Sequence, residues 1–264
     1  MHEETINALG EKELIKRISK YMPENQTSDD CAFIKNNKKG LLINIDNMVE
    51  NTHFDNNINP RDIGWKAATS NFSDLISSGC QEIIGINIGL IIPSYTHWKW
   101  VEEIYEGLNE ALNEFGGSIL GGDCSKGDNR SIVITSIGIQ SELKLRRNAC
   151  RAGEVLLSSG NHGLSKLGFL LITKQINHSE FKLSESLIQK AIQNFCRPKP
   201  KNEVLTQIIN TKESSSKKEV GCTDSSDGFY QAVEDLAIES NCKAVIDYEK
   251  IPKANDWPYG SNWD

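Results

Sequence analysis

The stretch Trp98–Phe115, WKWVEEIYEGLNEALNEF, followed by Gly116-Gly117-Ser118-Ile119-Leu120-Gly121-Gly122-Asp123, decides the fold class. Val101, Ile104, Tyr105, Leu108, Ala111, Leu112 and Phe115 recur at helical spacing and form one apolar stripe, which predicts an amphipathic helix. Gly116 and Gly117 stop it. The short apolar run at residues 118–120 predicts a strand leading into two glycines and a carboxylate. A helix that feeds a strand with a polar tip is a building unit of a mixed α/β domain.

Working outward, residues 83–92 predict a strand ended by Pro93. Asn59-Pro60 is a helix entry, with Asn as cap and Pro at the first helical position, for a helix over about 62–78 that Gly79 stops. Residues 41–45 predict a buried strand ending at Asp46, and residues 11–21 a short amphipathic helix. Downstream, residues 131–140, 155–158 and 243–248 read as strands, and 164–173, 185–195 and 228–240 as helices. Charge rises over residues 144–153. The expected organisation is therefore two domains, 1–145 and 146–264, the first a mixed sheet with helices and the second a further α/β unit.

Composition narrows the function. The 264 residues are 38% apolar and 25% charged, which is globular rather than disordered. A formal charge of −7 argues against a nucleic-acid partner, because phosphate backbones demand clustered Lys and Arg. No apolar run approaches the ~20 residues that span a bilayer, and residues 1–17 lack the apolar core of a secretory signal. The seven cysteines are scattered with no C-x-x-C pair, so reduced thiols and a cytoplasmic location are expected.

The aspartates carry the chemistry. Asp29-Asp30 closes a loop, Asp46 follows a strand, Asp74 sits within the Asn59 helix, Asp123 follows Gly121-Gly122, and Asp224 and Asp227 flank Ser225-Ser226 before a helix. Carboxylates are rarely buried alone, and several together repel unless a cation neutralises them. Oxygen donors suit Mg²⁺ or Ca²⁺ rather than zinc. Asp224 to Asp227 also fits an ordinary helix cap, and spacing does not decide between the two. Neither a P-loop nor a G-x-G-x-x-G fingerprint is present in the sequence, so a nucleotide site here is of another type.

The ordered set of these motifs resembles the thiamine-monophosphate kinases. The matching pieces are Gly10-Glu11 with Leu14-Ile15, Ser28-Asp29-Asp30-Cys31-Ala32, Ile45 to Glu50 with His53-Phe54, Lys66-Ala67-Ala68, Asn71 to Leu75 with Gly79, Gly121-Gly122-Asp123, Arg147 with Ala149 and Gly153, and Asp224 to Gly228. They run collinearly from about Gly10 to Pro252. The resemblance implies the two-domain fold of the aminoimidazole ribonucleotide synthetase-like (PurM-like) superfamily and transfer of the ATP γ-phosphoryl group to thiamine monophosphate. It implies Asp30, Asp46, Asp74, Asp123, Asp224 and Asp227 as ligands of several Mg²⁺ ions, with Asp29 a lesser candidate. It also implies Gly122, Asp123, Arg147 and Ser226 as ATP contacts, His53 as a substrate contact, K⁺ as a further candidate ion, and a homodimer.

The chain departs from that family at three places. Gln26-Thr27-Ser28 stands where glycines usually precede the Asp pair, and Asn44-Ile45 where hydroxyl residues usually precede Asp46. The family's later Gly-Gly-Glu-Asp-Tyr stretch has no counterpart, so the second domain is expected to be truncated. The competing readings are a non-catalytic relative that binds nucleotide or thiamine phosphate, and another ATP-using member of the superfamily.

Overall fold

The computed structural model describes residues 29, 32–34, 40–177, 181–212, 219–254 and 257. The expected helix at 11–21 and the residue Asp30 lie outside them.

Strand formation begins with the run Leu41–Val49 (β2), whose leading edge pairs antiparallel with Ala32–Ile34 (β1). Ser131–Gln140 (β5) pairs antiparallel with β2 on one side and with Cys80–Ile92 (β3) on the other. Ser118–Lys126 (β4) lies parallel to β3, giving the order β1-β2-β5-β3-β4. A parallel neighbour needs a crossover, and the helix Trp98–Phe115 (α2) supplies it with the boundaries its apolar stripe predicts.

The helix Pro60–Ser77 (α1) starts as the sequence predicts: the Asn59 side chain accepts from Arg61 N at 2.9 Å, and Pro60 opens the first turn. Gly79, with φ +87, ends it in a conformation that costs glycine little. α1 packs on α2 and on the sheet, with Phe72, Leu75, Ile104, Leu108, Ile86 and Ile132 excluded from water. The alternation along β5 turns Ile132, Ile134 and Ser136 to that core.

Two predicted strand ends need correcting. β2 runs on to Val49, so Asp46 is mid-strand, paired with Ile134. β4 continues through Gly121-Gly122-Asp123 to Lys126 rather than stopping at the glycines. The glycines serve the pairing itself, since a Cβ on Gly122 would strike the Ile88 carbonyl oxygen of β3.

Past residue 143 the organisation changes. Lys144–Arg146 (β6) pairs parallel with Glu219–Gly221 (β7) in a separate two-stranded sheet. The helices Leu164–Ile172 (α3) and Glu185–Cys196 (α4) pack on each other around Leu167, Leu187 and Ala191. Asn202–Lys212 (α5), which the sequence reading missed, precedes β7, and Phe229–Glu239 (α6) follows it. The predicted strands at 155–158 and 243–248 are not formed. No strand among the described residues pairs with either, and Val155, Leu157 and Val245 stand 82%, 87% and 86% exposed. A strand without a partner leaves its backbone polar groups to solvent, so the local preference alone does not fix the conformation.

The two halves meet along α1. Trp65 Nε1 donates to the Pro198 carbonyl at 2.9 Å, and the Arg197 guanidinium stacks 4.2 Å from the Trp65 ring. Arg197 also bonds Asp62 (3.0 Å) and Glu110 (2.6 Å), while Lys66 Nζ lies 3.5 Å from the centre of the Phe195 ring.

Candidate active site

One face of β2 carries Leu42, Asn44, Asp46 and Met48, because alternate residues share a face of the pleat. Asp46 is thus a carboxylate on the core side of a strand. Burial pushes its pKa up, the nearby Asp227 carboxylate pushes it further, and His53 partly offsets both. Asp46, Asp227 and His53 therefore share one electrostatic neighbourhood, although Asp227 comes from the far half of the chain.

Asp74 projects from α1 beside the same strand. Asn44 Nδ2 donates to Asp74 Oδ2 at 2.6 Å and to Asn71 Oδ1 at 3.2 Å, and Ser136 Oγ donates to Asn44 Oδ1. Asn71 in turn donates to the Ala67 carbonyl at 2.9 Å. Asn44, Asn71 and Ser136 are 6%, 0% and 0% exposed, so this chain of bonds runs through the core and fixes the Asp74 carboxylate from behind. Sequence reasoning treated Asn44 only as a departure. The signal was there, as a lone amide inside Leu41-Leu42-Ile43-Asn44-Ile45.

The other wall is the loop between β7 and α6. Ser73 Oγ, one residue before Asp74, donates to Asp224 Oδ2 at 3.0 Å and ties that loop to α1. Gly228 occupies the cap position of α6, and no side chain caps the helix there. The ordinary-cap reading of Asp224 to Asp227 is therefore not the one the structure adopts. Ser226 and Asp227 sit exposed at the turn.

Arg147 lies next to this loop. Its Nε donates to Thr223 Oγ1 at 3.1 Å, and its Nη1 stands 4.0 Å from Asp235. Asp29 accepts from Arg147 N and from Arg146 Nη1, each at 2.9 Å. Asp29 thus anchors the two arginines.

Asp123 is placed differently. It sits exposed on β4, within 3.3 Å of Ser125 Oγ. The register row Asp46–Ile134–Ile88–Gly122 crosses three strand spacings. That separates Gly122-Asp123 from Asp46 by about 14 Å along the sheet. The structure brings Asp46, Asp74, Asp224, Asp227 and His53 to one seam and leaves Asp123 and Gly122 on the far edge of the sheet.

Among the described residues, no three His, Cys, Asp or Glu side chains converge closely enough to cage an ion by themselves. The donor set is nonetheless all oxygen, and two of its members repel. That fits a hard cation held by one or two carboxylates, whose remaining positions water and phosphate oxygens fill. A sheet flanked by helices, with an acidic seam suited to a metal–phosphate group and neither familiar nucleotide loop in the sequence, is the arrangement this chain presents.

Comparison with known proteins agrees and goes further. Residues 28–140 match the family described as AIR synthase related protein, N-terminal domain. The chain is 43% identical over 263 residues to the thiamine-monophosphate kinase of Prochlorococcus marinus, covering 99% of this chain and 79% of that protein. It is 30% identical to the Synechococcus elongatus thiamine-monophosphate kinase, covering 96% and 76%. A solved structure of AaThiL complexed with AMPPCP and TMP superposes with a TM-score of 0.85 at 27% identity, covering 97% of this chain and 78% of that one. The chain belongs to the thiamine-monophosphate kinase family.

Proposed function

We propose that this chain transfers the γ-phosphoryl group of ATP to thiamine monophosphate, giving thiamine diphosphate and ADP. The observation that carries the reading is the 3.0 Å bond from Ser73 Oγ to Asp224, which sets the carboxylate loop of the second half against the helix that bears Asp74, with Asp227 near buried Asp46. Carboxylates held at repelling distance make a site suited to a cation that the triphosphate brings with it. The superposition on a relative complexed with an ATP analogue and TMP supports the choice of substrates.

The chain's own groups position and neutralise. Asp46, Asp74, Asp224 and Asp227, with Asp30, would hold Mg²⁺. Bound there, the metal offsets the charge that spreads over the moving phosphoryl group. Asn44 and Ser73 hold Asp74 and Asp224 in place. Arg147 offers a fork to a phosphate, Ser226 a hydroxyl, and Gly122 and Asp123 take the distal part of an extended nucleotide. His53 contacts thiamine monophosphate. The attacking atom is already a phosphate oxygen, so no strong general base is required. K⁺ is a further candidate ion at the phosphate site.

The same reading assigns residues 1–145 to the nucleotide-binding unit and 146–264 to the second domain, with β6 straddling the joint. It also carries a homodimer, for which the outer edge of β4, unpaired among the described residues, offers backbone groups. A cytoplasmic location belongs to the same reading; no helix among the described residues is long and apolar enough to cross a membrane.

A coupled assay of ADP release tests the reading. Release that depends on both Mg²⁺ and thiamine monophosphate is expected. Nucleotide binding without turnover under saturating substrate and metal would replace the kinase by a binding protein.

A further inference from the structure

Arg130 and Glu50 lie beside the acidic seam and are joined by both backbone and side chain. Glu50 N donates to Arg130 O at 2.9 Å, and Arg130 N donates to Glu50 Oε2 at 3.0 Å. The guanidinium donates to Glu50 Oε1 through Nε at 3.0 Å and also through Nη2. Nη2 reaches Asn56 Oδ1 as well, and the guanidinium lies 5.0 Å from the centre of the Trp100 ring. With side chains 15% and 11% exposed, this is a shielded, charge-assisted clamp rather than a surface ion pair.

The clamp grips one end of a tight turn. Asn51 adopts φ 64, Asn51 N donates to Phe54 O at 2.8 Å, and Glu50 forms an isolated bridge with Phe54. Phe54 is 4% exposed and packs on Trp100 with ring centres 6.3 Å apart, so the other end is anchored in the core. Between these anchors sits His53. Its N donates to Val49 O at 2.9 Å, and Val49 N donates to its Nδ1 at 3.0 Å. A ring nitrogen that accepts carries no proton, so in this geometry the imidazole N–H is on Nε2.

We propose that Glu50 and Arg130 are positioning residues that lock the Val49–Phe54 turn, so that His53 presents a fixed Nε2–H donor to the phosphate of the substrate. The identity of that substrate rests on the kinase reading; the locked tautomer does not. A ring held through Nδ1 loses less orientational freedom on binding than a freely rotating one.

Two readouts test the proposal on the full chain. In long-range ¹H–¹⁵N spectra of ¹⁵N-histidine protein, with His53 assigned by its absence in His53→Ala, the wild type should show the Nε2–H tautomer. Glu50→Gln should convert that signal to a two-tautomer average. In steady-state assays Glu50→Gln should raise KM for thiamine monophosphate about tenfold, the scale of one oriented hydrogen bond to a charged group, with KM for ATP unchanged, while the melting temperature falls because Arg130 loses its shielded counter-charge. Arg130→Lys, which keeps the charge and loses the fork, should fall between. An averaged His53 signal in the wild type, or Glu50→Gln with both His53 signal and KM unchanged, overturns the lock. A wild type that shows the fixed tautomer but no turnover overturns the kinase reading and leaves the lock in place.

Discussion

The two walls of the acidic seam are built in opposite ways. Asp46 and Asp74 stand on β2 and α1, inside a unit where Phe72, Ile86 and Ile132 are fully excluded from water and Asn44 bonds across the layers. Asp224 and Asp227 stand on a loop, tied to α1 through Ser73, in a half where Val155 and Val245 face solvent. One wall is set by close packing, which tolerates little displacement. The other is a loop between Val220 and Cys222, which pack on that core, and buried Phe229; its own polar bonds, such as Ser73 to Asp224, can be remade when charge enters the seam. A site that must first admit a nucleotide and then enclose it is served by one fixed and one adjustable wall.

Substitution of one carboxylate from each wall probes this division most strongly. Asp46→Asn and Asp227→Asn should each lower kcat on the order of a thousandfold, the scale for losing one charged group that meets the transferring phosphoryl. Removing either also removes their mutual repulsion, so the melting temperature should hold or rise. Retained activity in Asp227→Asn alone would show that the loop is no part of the site. Asn44→Leu comes next. It strips partners from buried Asn71, Ser136 and Asp74 together and should destabilise by about 3 kcal/mol in denaturant unfolding. A neutral result would mean the buried bonds do not set the fixed wall.

Lys66 tests the contact between α1 and the second half. Burial against Phe195 pushes its pKa down from 10.5 to about 8. Between those values the unfolded chain binds more protons than the folded one, so this group's contribution to stability rises with pH across that window. Lys66→Met should therefore be more stable than the parent at pH 7, by on the order of 1–3 kcal/mol, with the gap closing towards pH 10.5. A gap that stays constant with pH would show that Lys66 titrates alike in the folded and unfolded chain, as a well-hydrated lysine does. Gly122→Ala should cost about 2 kcal/mol by forcing β4 off β3, a size typical of overpacking. The smallest effect belongs to the second half. Leu157→Ser, at a position 87% exposed, should change stability by no more than about 0.5 kcal/mol. A loss above that would place residue 157 against a surface the chain packs on in solution.

Part of this was legible from local chemistry. Asn59-Pro60 named the start of α1 and the Val101 to Phe115 stripe named α2, because caps and helical periodicity act over a few residues. The strands at 155–158 and 243–248 failed for the opposite reason. Their apolar runs state a preference that only a paired neighbour can satisfy, and the neighbour is a matter of topology. The aspartates were visible one by one and acquired roles through the resemblance to the kinase family. Asn44 looked like a defect in the motif until Asn71, Ser136 and Asp74 were found around it.

The sequence by itself determined that this is a mixed α/β protein with scattered aspartates in the order of a kinase family's motifs, and without either familiar nucleotide loop. Only the tertiary structure decided that Asp46 lies in the electrostatic neighbourhood of Asp227, that Asp29 anchors arginines, and that Asp123 stands on the far edge of the sheet. The reason is range. Caps, glycine stops and apolar stripes are settled between neighbours in sequence, whereas repulsion between two carboxylates depends on their separation in space, which strand order and helix packing set.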